Sequence, residues 1–219
     1  VLNPGEAITT EYKAITLLDE SAQSYNQVVF YYSSLDEIED ISAAVYDATG
    51  KLIRRLKKKD ISDVKPPEYF INDHRCKVLN LPSSAYPYTI EYAITERSHS
   101  LMFYPAFAPQ QSATMSVQHA RLEMVMPAGM DYRVKEVALP EHCRMAPNTW
   151  EFNNILAFKP EMYTPSAENS APFILTAPNE FELDGISGDM RTWQSFGAFI
   201  NKINSSRDQL SPETIKKVQ

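Results

Sequence analysis

Tyr88, Ile90 and Tyr92 alternate with Thr89, Glu91 and Ala93. A period of two is the mark of a strand with one face buried. The same criterion, helped by crowded β-branched and aromatic residues, predicts strands over 7–18 (AITTEYKAITLL) and 26–32 (NQVVFYY). Ile38, Ile41 and Val45 lead into Asp47-Ala48-Thr49-Gly50, and Lys51–Leu56 follows. A short Asp…Gly loop between two strand-like runs predicts a β-hairpin, with Gly50 taking the positive φ of its turn. His74–Pro82 and Ala85–Ile94 read as two further strands joined through Pro82-Ser83-Ser84, and Ala113–Met126, Asp131–Leu139 and Thr149–Phe158 as three more. Lys65-Pro66-Pro67-Glu68 is a loop signal. Residues 159–180, rich in Pro, Ala, Ser and Asn, predict mostly loop with a short strand at Phe173–Leu175.

The pattern changes near the end. Trp193, Phe196, Phe199 or Ile200, and Ile203 recur at helical spacing, which predicts a helix from about Met190 to Ile203 with Trp193 in its buried stripe. Gly185 and Gly188 are read as a turn before it. Ser211-Pro212-Glu213 carries the signals of a second helix start: a hydroxyl cap, Pro at the first position, and an acid at the positive end. So short a helix is not stable alone, and we expect it to open a following domain. The sum is an all-β, antiparallel β-sandwich (immunoglobulin-like or larger) over 1–188, then a C-terminal helix and linker over 189–219.

Composition adds limits. The 219 residues suit one large β domain or two small ones. Hydrophobic residues at 43% and charged ones at 22% are those of a packed globular chain rather than a disordered one. The net charge of −7 opposes a phosphate backbone, so nucleic acid is not an expected partner. The local exception is Arg54, Arg55, Lys57, Lys58 and Lys59, read as a solvated strand end that protects a sheet edge. No apolar run approaches the length of about 18 residues that would span a membrane as a helix.

Candidate chemistry is sparse. Cys76 lies in a strand pattern with Val78, Leu79 and Leu81 and is expected in the core. Cys143 follows His142 between Pro140 and Pro147 and is expected to be a more exposed loop thiol, unpaired with Cys76. A catalytic thiol needs a lowered pKa and a base turned toward it, and neighbours on an extended chain point apart. His74, His99, His119 and His142 form no pair at metal-ligand spacing, and Asp36, Glu37, Glu39 and Asp40 lack the order of a calcium loop. Asp184–Asp189 matches such a loop only in part. No catalytic, metal or cofactor-binding residue is assigned. The aromatic loop Phe103, Tyr104, Phe107 is a candidate interaction surface for peptide or glycan, with core filling as the alternative.

VYDATGKLIRRLKKKDISD (Val45–Asp63), HRCKVLNLP, AYPYTIEYAI, FYPAFAPQ and TWQSFGAFI (Thr192–Ile200), in this order, resemble a bacterial domain of unknown function found N-terminal to transglutaminase-like (cysteine protease) domains of secreted or periplasmic proteins. The resemblance runs from about Glu11 to Val218. It implies a β-sandwich leader whose partner is a downstream transglutaminase-like domain, with the catalytic Cys, His and Asp lying in that domain and no position here matching them. It also implies an extracytoplasmic location. The expected role is therefore a non-catalytic binding or scaffolding module of an envelope protein. A stand-alone adhesin-like β-sandwich and an independent hydrolase built on Cys143 and His142 or an acidic pair are the rivals.

Overall fold

The computed structural model describes residues 1–66, 73–158, 171–205 and 209–218. The fold is mostly β, with several antiparallel sheets and a short C-terminal helix, and it is sandwich-like. A single strand-rich body over 1–188 was expected. By its contacts the chain forms two compact units: Glu6–His99, and Val1–Gly5 together with Ser100–Gln219.

In the first unit, β1 (Ala7–Leu17), β7 (Tyr88–Ser98), β3 (Asp36–Tyr46) and β4 (Leu52–Arg55) form one antiparallel sheet in the order β1-β7-β3-β4. Strands β2 (Gln27–Tyr32), β6 (Arg75–Asn80) and β5 (Ser62–Val64) form another in the order β2-β6-β5. Alternation decides which side chains meet between them. Tyr88, Ile90 and Tyr92 of β7 turn inward with Leu17 and Val45, and Leu79 of β6 and Leu81 just after it meet them from the other side. Fully burying each aliphatic side chain contributes about 1.5–3 kcal/mol. The predicted hairpin joins β3 to β4: the Asp47 carboxylate accepts from the Thr49 and Lys51 amides, and Gly50 has φ 80°.

In the second unit, β10 (Arg144–Ala146), β11 (Thr149–Ile155) and β8 (Val117–Glu123) pair in that order, and β12 (Phe173–Pro178) pairs with β9 (Tyr132–Val137). Trp150, Phe152, Ile174 and Cys143 form the core, with Phe107, Leu122 and Val134 against it. The N-terminal residues return to this unit, where Pro4 O accepts from the Glu182 amide at 2.8 Å. Strands β13 (Glu180–Leu183) and β14 (Ile186–Asp189) make a hairpin. Gly185 turns it with φ 74°, as expected of a turn glycine. Gly188 does something else: it lies within β14 opposite Phe181, whose ring occupies the space a Cβ would need.

The first helix, α1 (Trp193–Asn204), begins three residues later than the periodicity suggested. Thr192 caps it: its hydroxyl accepts from the Ser195 amide at 3.0 Å. Ser211 caps α2 (Pro212–Val218) in the same way, accepting from the Thr214 amide at 3.2 Å. The burial expected of Trp193 is overturned. Phe199 is the buried residue of α1 and Phe196 is half-buried, whereas Trp193 is 83% exposed because it is the first helical residue, nearly two turns before the ring that docks. The loop prediction at Pro67–Glu68 and most of that over 159–180 fall outside the described residues.

Candidate functional site

The three residues of the aromatic loop part company. Phe107 exchanges backbone hydrogen bonds with Ile174, each 2.9 Å, and this bridge places its ring 6.1 Å from Phe152 in the core. Tyr104 is buried 6.5 Å from Tyr132, and its hydroxyl has no partner among the described residues. Only Phe103 is on the surface, at 77% exposure, because neighbours on an extended chain point to opposite sides. Core filling accounts for Tyr104 and Phe107, and no joint platform forms.

Cys143 is buried, against the expectation of an exposed loop thiol. Its carbonyl accepts from the Glu151 amide at 2.8 Å, which draws the thiol in beside Trp150. Burial, and secondarily the Glu136 carboxylate, push its pKa up, the opposite of what nucleophilic chemistry needs. Cys76 is also buried and both thiols are free. It lies on the face of β6 opposite Leu79, by strand parity. Among the described residues no group of three or more His, Cys, Asp or Glu could hold a metal ion. Two of the four acids at 36–40 are engaged in the fold: Asp36 accepts from Ser33 and Ser98, and Glu39 from Arg97.

Two surface constellations remain. One is the start of α1. Arg191 there meets Glu180 at 2.8 Å, Asp189 at 2.5 Å and Asp131 at 3.3 Å, and Glu180, with Asp189, holds its pKa above the usual arginine range. Beside this clamp runs a series of rings. Buried Phe181 meets Phe199 edge to face at 4.7 Å, Phe199 stacks on Phe196 at 6.2 Å, and Phe196 meets Trp193 at 6.5 Å. The series carries aromatic surface from the core to solvent. Helical spacing identified Trp193, Phe196 and Phe199, but not Phe181 beneath them, nor which end of the stripe would be left uncovered.

The other is the open face of the β1-β7-β3-β4 sheet. Glu91 stands in the row Ala14–Glu91–Ala44–Arg55, set by the pairing of four strands. The rows on either side supply Tyr12 and Tyr46, each near enough to Glu91 for its carboxylate to raise the phenol's pKa. Burial raises the Tyr12 pKa most, with Glu91 adding to it; the bond to Glu91 is the main cause for Tyr46. A shallow depression runs past Ser42, Ala93 and Arg55. Sequence reading passed over this site, because its members lie on four strands.

These features define a strand-rich, sandwich-like protein with two exposed side-chain constellations among the described residues. The chain belongs to the family described as a domain of unknown function with solved-structure structure (DUF3857), whose model matches residues 3–159. The fold is also that of a crystal structure of a "putative protease" from Parabacteroides distasonis, with a TM-score of 0.63 and 16% identity over 81% of this chain. This chain spans 38% of the length of that one. No curated protein matches the sequence.

Proposed function

We propose that this chain is a non-catalytic binding or scaffolding module of a larger transglutaminase-like or protease-like envelope protein, and that the start of α1 is its contact with the neighbouring domain. Trp193 carries this reading. A tryptophan 83% exposed, braced by a ring series and a three-carboxylate arginine clamp, has the makeup of an interface anchor. The resemblance in sequence order and the fold shared with part of the longer "putative protease" chain support a partner in the same polypeptide.

The test extends the polypeptide through the domain that follows and compares tryptophan emission with that of this chain alone. Trp193 emission should shift to the blue and lose acrylamide quenching in the longer protein, and Trp193→Phe should remove the shifting component. Unchanged emission, or robust cysteine-dependent turnover by this chain alone, overturns the reading.

The Glu91 face favours a second reading, a stand-alone β-sandwich for glycan or protein. A carboxylate between two phenols, with an arginine beyond Ala44, has the donor and acceptor mixture that hydroxyl-rich ligands use. Glycan binding lost in Glu91→Gln without loss of stability supports it; binding retained in that variant counts against it.

A further inference from the structure

We propose that β4 and the turn after it form a docking edge for the anionic headgroups of a phospholipid bilayer. The segment Asp47–Asp60 holds Lys51, Arg54, Arg55, Lys57, Lys58 and Lys59 against two carboxylates, within a chain of net charge −7. Both carboxylates are turned to local backbone: Asp47 accepts from the Thr49 and Lys51 amides, and Asp60 accepts from the Lys57 amide at 2.9 Å. Arg54 reaches inward to the Asn80 carbonyl at 2.7 Å. The other five cations form no ion pair among the described residues.

Position and apolar content choose the partner. Strand β4 is the outermost strand of its sheet, and all four of its residues are exposed. Leu52 and Ile53, 44% and 53% exposed, sit between Lys51 and Arg54. Half-buried Leu56, whose amide donates to Ala43 O at 2.9 Å, anchors the far end to the sheet. A fixed edge with aliphatic side chains at its centre and cations at its rim matches a headgroup layer, where methyl groups enter the acyl boundary and cations meet phosphates. A nucleic-acid backbone would use the cations and leave Leu52 and Ile53 without a role. This inference does not depend on the α1 reading.

The test is co-sedimentation of the whole chain with vesicles of phosphatidylcholine alone or of phosphatidylcholine with phosphatidylglycerol. A short DNA duplex is tested in parallel. Binding is expected to the phosphatidylglycerol vesicles only, and to fall as salt is raised. The triple variant Lys57→Gln/Lys58→Gln/Lys59→Gln should bind roughly a hundredfold more weakly, at about a fivefold loss per cation. Ile53→Ser should bind several-fold more weakly. Each variant is compared only with its thermal transition matched to the parent. Equal binding to both vesicles, no binding to either, an unaffected triple variant, or binding of the duplex but not the vesicles overturns the proposal.

Discussion

The indole N–H of Trp150 donates to the Glu136 carboxylate at 2.7 Å, tying β11 of one sheet to β9 of the other. Trp150 has no exposed surface, and Arg144 lies over its ring at 5.4 Å. Glu136 stands opposite Ile174 in its strand pair; it is exposed and also pairs with Arg144 at 3.4 Å, and its carboxylate reaches the indole N–H from the solvent side. Trp150→Ala should cost about 3–5 kcal/mol. Glu136→Ala, which leaves the indole N–H unpaired, should cost about 1–3 kcal/mol. Urea titrations followed by circular dichroism would measure both, and a neutral Glu136→Ala would show that the bond contributes nothing.

Trp193 and Phe199 should behave as opposites. Phe199 is buried against Phe181, and its replacement by Ala should cost about 3–5 kcal/mol. Trp193→Ala should shift stability by no more than about 0.5 kcal/mol, since its ring faces solvent. Thermal melts of the two variants settle this, and a large loss for Trp193→Ala would mean the indole is covered in solution.

Both thiols should be silent in the folded protein. Cys76 and Cys143 are buried and unpaired, and burial raises the Cys143 pKa. A chromogenic thiol reagent near neutral pH should label neither quickly and both after denaturation. Rapid labelling of native Cys143 would contradict its burial.

Gly188→Ala should destabilise by about 1–3 kcal/mol, because the new methyl group meets the Phe181 ring. Phe181→Leu should restore part of the loss in the double variant. Simple turn glycines would show no such coupling in a double-mutant cycle.

Asp63 accepts from Tyr32, Arg75 and Lys77, and its pKa is lowered, chiefly through the bond from Lys77. A carboxyl group with a depressed folded-state pKa stabilises above its unfolded value of about 3.9 and loses that contribution as pH falls through the folded value. Asp63→Asn should therefore melt lower than the parent at pH 7, by an amount worth under about 1 kcal/mol at this exposed site. The difference should close in acid, below pH 4. A gap that persists in acid would assign the effect to packing instead.

The mostly β, antiparallel character, the Asp47–Gly50 hairpin, and the cap at Ser211 were legible in local sequence, since each rests on residues within a few positions of one another; the cap at Thr192 is as local, but the expected start at Met190 passed over it. Alternation also marked Tyr88, Ile90 and Tyr92 as inward. Tertiary pairing decided the rest. Whether Trp193 or Phe199 would be covered depended on where α1 met the β13–β14 hairpin, which helical spacing leaves open. Cys143 looked like a loop thiol until pairing with Glu151 drew it under Trp150. Glu91, Tyr12, Tyr46 and Arg55 are a constellation only because four strands align in one register. Periodicity is carried by a single segment, whereas coverage and convergence belong to pairs of segments distant in sequence, and those are set when the sheets close on their cores.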